Sequence, residues 1–497
     1  MRERLKIKPS EEVIKYLFSP CIESDLKNSF CPIIEINYAH IIMLSSQNII
    51  SINDTKVILN ALRDIYKNGP NILRINHFSE DLYSNIEDHI IGKVGSDVGG
   101  QLHTARSRND LFGTVTRINA RKFLLKACSQ INSLRLCILE LSNKKINTVM
   151  PGYTCMQPAE PITLGHYFSA HLHSLERDFA RLENAYERLN QSPLGCAAMA
   201  GTTFNINREL SAELLGFNGP TKSSLDGIVS RDYVLEILAG LSIFMINLSR
   251  LCHDLYIWST DEFSFIEVSD SVAMCSSIMP QKKNPVTFEH IKAKAAHLQG
   301  AYISASSSLK NSPFSQCRDS SVESIKYFWD SFFEVEASIY LLIETLKTIK
   351  INDKRMLDKA RFDFSTVSEL SNTLVREVGL PNRSAHQIVA NIVSHIIENG
   401  QTPIDINSEL LAKISKKVLG RKISLSDEKI NLALDPVLNV NSRTILGGPS
   451  PSEVRNQLNF QEIKINEDIK IITDHENFLK ESKSKLHSEV NRLVDSI

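Results

Sequence analysis

Apolar residues recur along this chain in steps of three and four. Between Pro161 and Leu189 they fall at Leu164, Phe168, Leu172, Leu175, Phe179, Leu182, Tyr186 and Leu189. That spacing predicts one long helix with a single apolar seam, packed in a bundle. Ile118, Leu125, Cys128, Ile131, Leu134, Ile138 and Leu141 repeat the pattern upstream. From Val234 to Leu255 the first two-thirds are apolar nearly all round, which places this helix at a bundle's centre. Its most apolar part, Val234 to Leu248, is too short for a membrane span and carries Glu236 and Asn247. No stretch alternates with period two, so the expected fold class is all-α.

The breaks between helices fall where composition changes. Asp97–Asp110 (DVGGQLHTARSRND) precedes the first long helix, and Met150–Pro161 (MPGYTCMQPAEP) separates it from the second. Both read as ordered loops at helix ends. After about residue 360 the helical patterns shorten and Ile445–Pro451 (ILGGPSP) makes a strong turn, so a smaller C-terminal domain is expected. The charged stretch Ile463–Ile497 reads as a peripheral helix.

Composition narrows the function classes. Of 497 residues, 42% are hydrophobic and 23% charged, with a formal net charge of -1. This is neither a disordered chain nor a polyelectrolyte, and nucleic acid is excluded as the main partner. The nine cysteines are widely spaced without a C-x-x-C pair, which points to neither a disulfide framework nor a thiolate metal site and fits a reducing cytoplasm. The N-terminal MRERLKIKPSEE has no apolar run behind its charges, so it is not read as a secretory signal.

Three loops carry candidate chemistry. In Ser276–Pro285 (SSIMPQKKNP), Asn284 suits a helix N-cap and Pro285 the first helical position. The positive end of that helix then faces Lys282 and Lys283, which makes a carboxylate site or, more blandly, a lysine-bearing surface loop. Arg108 can grip a carboxylate bidentately, with Ser107 and Asn109 as orienting donors; alternatively Asn109 or Asp110 simply caps a solvated helix. The third loop offers Thr154, Cys155 and Gln157, and Cys155 taken alone reads as a small packed residue.

Taken together, the loops are far more specific. SSIMPQKKNP resembles the signature of the fumarase/aspartase superfamily, and its QKKNP ending that of the argininosuccinate lyase family. GGQLHTARSRND is similar to that family's G-G-K-L-H-T-G-R-S-R-N-D, and the segments Ser192–Pro220 and Ala433–Leu458 are similar to its central and C-terminal parts. The likeness covers roughly Ser19 to Leu458. It implies a three-domain all-α fold divided as 1–109, 110–360 and 361–497, with a long central bundle. It also implies a homotetramer whose active sites are shared between subunits, with no metal or other cofactor and no membrane partner. The implied reaction is a β-elimination that splits an N-substituted aspartate, a small dicarboxylate, into fumarate and an amine. By motif, Ser276 is the base for the Cβ proton, while Lys282, Asn284, Ser107, Arg108, Asn109 and Thr154 hold the succinyl half. The chemistry asks for such a set, because removing a proton beside a carboxylate adds charge to an anion; one preorganised donor is worth about 10² to 10³ in rate.

The departures from the family pattern define a second expectation. Cys155 replaces the histidine of G-Y-T-H-L-Q, although Glu289, matching that histidine's acidic partner, is kept. A protonated Cys155 can deliver a proton near neutral pH. Cys275 and Ala105 each replace a glycine. On the amine side Asp25 remains, but Cys21, Gln316, Ser321 and Ser324 replace the serine, tyrosine, glutamine and lysine of the family. The fumarate half is therefore retained and the arginine half rewritten, so the amine released need not be arginine. The competing reading is a catalytically silent oligomer with a structural or regulatory role.

Overall fold

The computed structural model describes residues 4–495; the first three residues of the basic N-terminal stretch lie outside them. Six helices longer than twenty residues are found among the described residues. They are α1 (Arg108–Lys144), α2 (Leu164–Leu189), α3 (Asp232–Trp258), α4 (Val286–Lys310), α5 (Phe328–Thr348) and α6 (Pro451–Asp495). All six contribute to one apolar cluster along the bundle.

Side-chain contacts fix the direction of each helix. Arg117 near the start of α1 donates to the carbonyls of Arg188 and Leu189 at the end of α2, so these two run antiparallel. Phe123 stacks on Phe332 while Cys137 reaches the Ile343 carbonyl, so α5 runs parallel to α1. Tyr167 at the start of α2 meets Trp258 at the end of α3. Thr287 and Lys292 at the start of α4 meet Thr345 of α5 and Tyr256 of α3. The bundle thus has two distinct ends. The N-terminus of α1 lies at one, and the C-termini of α1, α3 and α5 lie at the other with the N-terminus of α4.

The apolar α3 is long enough to cross a membrane by composition, but Ile237, Leu238, Leu241, Phe244, Met245 and Leu248 are buried against its neighbours. The last helix is not peripheral as its charged sequence suggested. α6 runs 45 residues, about 68 Å at 1.5 Å per residue. It buries Val454, Leu458, Ile465 and Ile472 in the bundle, then Leu486, Val490 and Leu493 against the N-terminal helices. Its apolar positions are sparse because much of one face is bound by polar contacts, led by the buried Asp468–Arg135 ion pair at 2.6 Å. A second apolar cluster joins helices Phe30–Ser46, Ile52–Asn68 and Leu82–Val94 to the start of α1. A third is confined to short helices between Leu370 and Ala433.

One loop of the sequence reading is a β-hairpin. Strands β1 (Val149–Thr154) and β2 (Gln157–Thr163) pair antiparallel between α1 and α2. Prolines and a glycine interrupt their alternation, which hid them from a period-two search. The hairpin can sit this close to α1 because Gly165 opens α2: a Cβ there would lie 2.8 Å from Ile146 Cα.

Candidate active site

At the first end of the bundle, Ser107 is the N-cap of α1. Its Oγ accepts the Asn109 N–H at 3.2 Å, and its own N–H donates to Asp110 Oδ1 at 3.1 Å, a reciprocal capping box. The serine hydroxyl keeps its proton to donate. Asp110 Oδ2 accepts from the N–H groups of Gly195 (3.0 Å) and Ala197 (2.9 Å), and Asn109 Nδ2 donates to the Ala198 carbonyl at 3.1 Å. Arg108 is already engaged, by Glu80 at 2.8 Å and Asp81 at 2.9 Å. The sequence reading missed Asp81, whose other oxygen caps the helix Leu82–Val94 through the Ser84 N–H. An Asp immediately before an apolar helical run was the available signal.

The segment after α4 returns to this same end. Arg318 lies near enough to Cys21 to oppose the rise in its pKa, while burial, Asp25 and Asp81 push that thiol up to about 12. Burial, then Asp81, raises Asp25 to about 7. Gln316 Oε1 and Ser321 Oγ are buried without a hydrogen-bond partner among the described residues, whereas the Ser324 hydroxyl is spent on the Ser320 carbonyl at 2.6 Å.

The remaining candidates lie at the opposite end. Thr154 pairs with Gln157 across the tip of the hairpin, leaving Cys155 and Met156 as a two-residue turn with φ of 52° and 58°. Both φ values are positive, as a type I′ turn requires, yet neither residue is the usual Asn or Gly. Cys155 and Met156 are exposed there. Strands β3 (Ile266–Glu267) and β6 (Lys350–Ile351) pair close by, and β4 (Met274–Cys275) pairs with β5 (Lys283–Asn284). Cys275 is an extended strand residue, so its replacement of glycine needs no left-handed backbone. The segment from Ser276 to Lys282 loops out from this pair. Ser276 Oγ accepts the N–H groups of Ile278 (3.3 Å) and Met279 (3.0 Å).

Two details differ from the sequence reading. Asn284 pairs in β5, and Pro285 is the N-cap of α4 with no side-chain cap, so the first N–H groups of α4 have no capping side chain. Lys283 is bound by Glu267 and Asp270, which leaves Lys282 as the unpaired cation of the loop among the described residues. Glu289 is exposed on the first turn of α4.

The structure therefore brings Ser107, Arg108, Asn109, Cys21, Asp25 and the Gln316 segment to one end, and Thr154, Cys155, Ser276, Lys282, Asn284 and Glu289 to the other. Between the two ends runs α1, whose 37 residues span about 55 Å.

A bundle of this kind carrying these loops at its two ends defines a lyase of the fumarase/aspartase superfamily. The family model described as Lyase matches residues 41–300, and that described as Argininosuccinate lyase C-terminal matches residues 364–441. Argininosuccinate lyase 1 of Shouchella clausii is 47% identical over 95% of this chain and 95% of its own length. The argininosuccinate lyase of Methanocaldococcus jannaschii is 41% identical over 92% of each. Among solved structures, a variant of EDDS lyase with bound fumarate superposes with a TM-score of 0.88 at 30% identity, covering 99% of this chain and 97% of that one. The chain belongs to the argininosuccinate lyase family. It is a carbon–nitrogen lyase, and the silent-oligomer reading is set aside.

Ala105, which stands for a family glycine, has φ +57°. An L-residue with a Cβ is disfavoured there by about 1 kcal/mol. Ala105→Gly is expected to stabilise the fold by about 1 kcal/mol, read as a higher apparent melting temperature.

Proposed function

We propose that the protein eliminates an amine from an N-substituted aspartate to give fumarate, in sites assembled between copies of the chain. The observation that carries this is the separation of the candidate residues. Ser107–Asn109 and Ser276–Asn284 lie toward opposite ends of α1, whose 37 residues span about 55 Å, and only different copies can bring them to one substrate. A homotetramer of antiparallel bundles, in which one copy's first end meets another's second, satisfies this with closed symmetry. The fumarate bound in the related EDDS lyase variant is the product expected here.

In such a site Ser276 removes the Cβ proton. Two loop N–H groups already point at its oxygen, and hydrogen bonds to a charged form favour that form. Lys282 and the uncapped start of α4 add positive potential for the growing charge. Cys155, exposed at its hairpin tip, or Glu289 handles the proton for the leaving amine. No cofactor enters these steps. We propose further that the chain comprises an N-terminal helical domain (1–109), the bundle domain (110–360) and a C-terminal helical domain (361–497) whose final helix returns to the bundle. It works in a reducing cytoplasm, where its nine unpaired cysteines stay reduced.

The amine half is the divergent part. Near the Gln316 segment the structure offers a neutral thiol (Cys21), a carboxyl held partly protonated near neutral pH (Asp25) and two unpartnered buried oxygens. Family residues that grip arginine are missing. Argininosuccinate is therefore expected to be a poor substrate beside another N-succinyl compound, since each lost polar contact costs about 1 kcal/mol or more. The names of the curated relatives favour argininosuccinate itself as the second reading. Steady-state kinetics decide between them: kcat/KM for argininosuccinate at or above about 10⁴ M⁻¹s⁻¹ establishes the second reading. Incubation with fumarate and a panel of amines, followed by mass spectrometry for N-succinyl adducts, identifies the partner under the first.

A further inference from the structure

The turn that leads into α1 is held from beneath by side chains outside the assigned substrate contacts. We propose that Arg106 and Tyr83 are positioning residues, fixing the backbone from which Ser107, Arg108 and Asn109 reach the substrate. The inference rests on the reading above that these three residues bind the succinyl half.

The turn itself is poorly disposed to form. Thr104 has φ -56° and ψ 135°, Ala105 has φ +57°, and the Arg106 N–H donates to the His103 carbonyl at 3.3 Å. This is the form of a type II turn, whose third position is normally glycine because φ is positive there. Alanine at that position leaves the turn strained, so it persists only where its surroundings over-determine it.

Two helices supply that hold. From the helix Phe30–Ser46, fully buried His40 places Nε2 2.8 Å from the Thr104 carbonyl, and Asn37 Oδ1 accepts from Arg106 Nη2 at 2.6 Å. From the helix Leu82–Val94, the Tyr83 hydroxyl accepts from Arg106 Nη2 at 3.2 Å and lies 2.8 Å from His103 Nδ1; it also donates to Glu87 at 3.4 Å. The Arg106 guanidinium sits 5.2 Å from the centre of the Tyr83 ring and returns a hydrogen bond to the Leu102 carbonyl at 3.3 Å. Among the described residues all of the guanidinium's hydrogen bonds run through Nη2, since Nε and Nη1 are buried without a partner there. The tyrosine hydroxyl is therefore the point where the bonds to His103 and Arg106, on either side of the turn, meet.

Burial holds the cluster in one charge state. Burial, with the charges of Arg106 and Arg108 adding to it, lowers His103 to about 4, so the ring is neutral at physiological pH. His40 is held neutral by burial in the same way. Neither histidine of the hold therefore switches across the physiological range.

Tyr83→Phe keeps the ring and its packing and deletes only the hydroxyl. Freed of it, residues 106–109 move, and a misplacement of about 1 Å in a reactive geometry can cost up to about 10² in rate. The expected result is a folded, normally assembled enzyme whose kcat falls about tenfold to a hundredfold while KM changes by no more than a few-fold, equally for every N-succinyl substrate tried. Amide exchange at Arg106, Ser107 and Asn109 should quicken in the same variant. Adding Ala105→Gly relaxes the turn's own strain and should restore most of the lost kcat. A purely structural role would lower the melting temperature and leave kcat in the folded enzyme unchanged. The proposal is overturned if Tyr83→Phe keeps native kcat with native amide exchange, or if Ala105→Gly restores none of the loss. Were the native protein to turn over no N-substituted aspartate, the proposed function would fail on its own, and amide exchange would still decide whether Tyr83 holds the turn.

Discussion

Ser276→Ala should release no measurable fumarate from any substrate the native protein cleaves, while folding and assembling as the native chain does. The structural half of this expectation follows from what the side chain touches. Among the described residues Ser276 Oγ hydrogen-bonds only the N–H groups of Ile278 and Met279, in a segment that loops out between β4 and β5. It packs in no apolar cluster, and a surface substitution of that kind usually changes stability by less than about 0.5 kcal/mol. The chemical half follows from the charge that the reaction creates. A proton leaving Cβ beside a carboxylate needs a positioned base, and loss of such a group typically costs about 10² to 10⁴ in rate. Alanine offers no oxygen for the two N–H groups to activate, and Lys282 cannot substitute because it is cationic. A loss of kcat beyond about 10³ with an unchanged melting temperature is the expected result. Turnover within tenfold of native would remove the serine from the mechanism.

Much of the architecture was legible because helical spacing records burial directly. The stripe from Leu164 to Leu189 became α2, and the all-round apolar segment became α3, which is not covered on every side as its sequence suggested: Leu238, Leu241 and Phe244 are buried but Ile243 and Ile246 stay exposed. α6 was misjudged for the converse reason. Its contacts are made by Gln461, Asp468, His475 and Lys485 as well as by apolar residues, and polar seams leave no hydrophobic period to read. The β1–β2 hairpin escaped because Pro151, Pro158 and Pro161 break its alternation. The candidate site was legible as motifs, since Ser107, Arg108, Asn109 and Ser276–Asn284 match the family's pattern at fixed spacing. Their partners were not. Nothing local to Arg108 indicates that Glu80 and Asp81 neutralise it, nor does Lys283 announce its pairing with Glu267 and Asp270. Such pairings join residues that are close only after folding.

Two individually inactive proteins, Asn109→Ala and Ser276→Ala, are expected to become active when assembled together. Within one chain these residues sit toward opposite ends of α1, whose 37 residues span about 55 Å. A dicarboxylate substrate is far shorter than this. If each site takes Asn109 from one copy and Ser276 from another, mixed assemblies contain some sites in which both side chains are intact. Random association of equal amounts gives about a quarter of the sites this composition in a symmetric oligomer. Asn109→Ala is the suitable partner because it deletes one hydrogen bond to the Ala198 carbonyl. Arg108→Ala would instead strand the buried charge of Asp81. Co-expression, or joint refolding, should therefore yield fumarate release near a quarter of the native rate per chain, while either variant alone yields none. Light scattering on the same material should give an oligomer. An inactive mixture that nonetheless contains both variants in one assembly would show that the two ends do not meet at a common substrate. A monomer at micromolar concentration would leave the residues at the two ends of α1 with no means of sharing a substrate, and the inter-copy site would have to be abandoned.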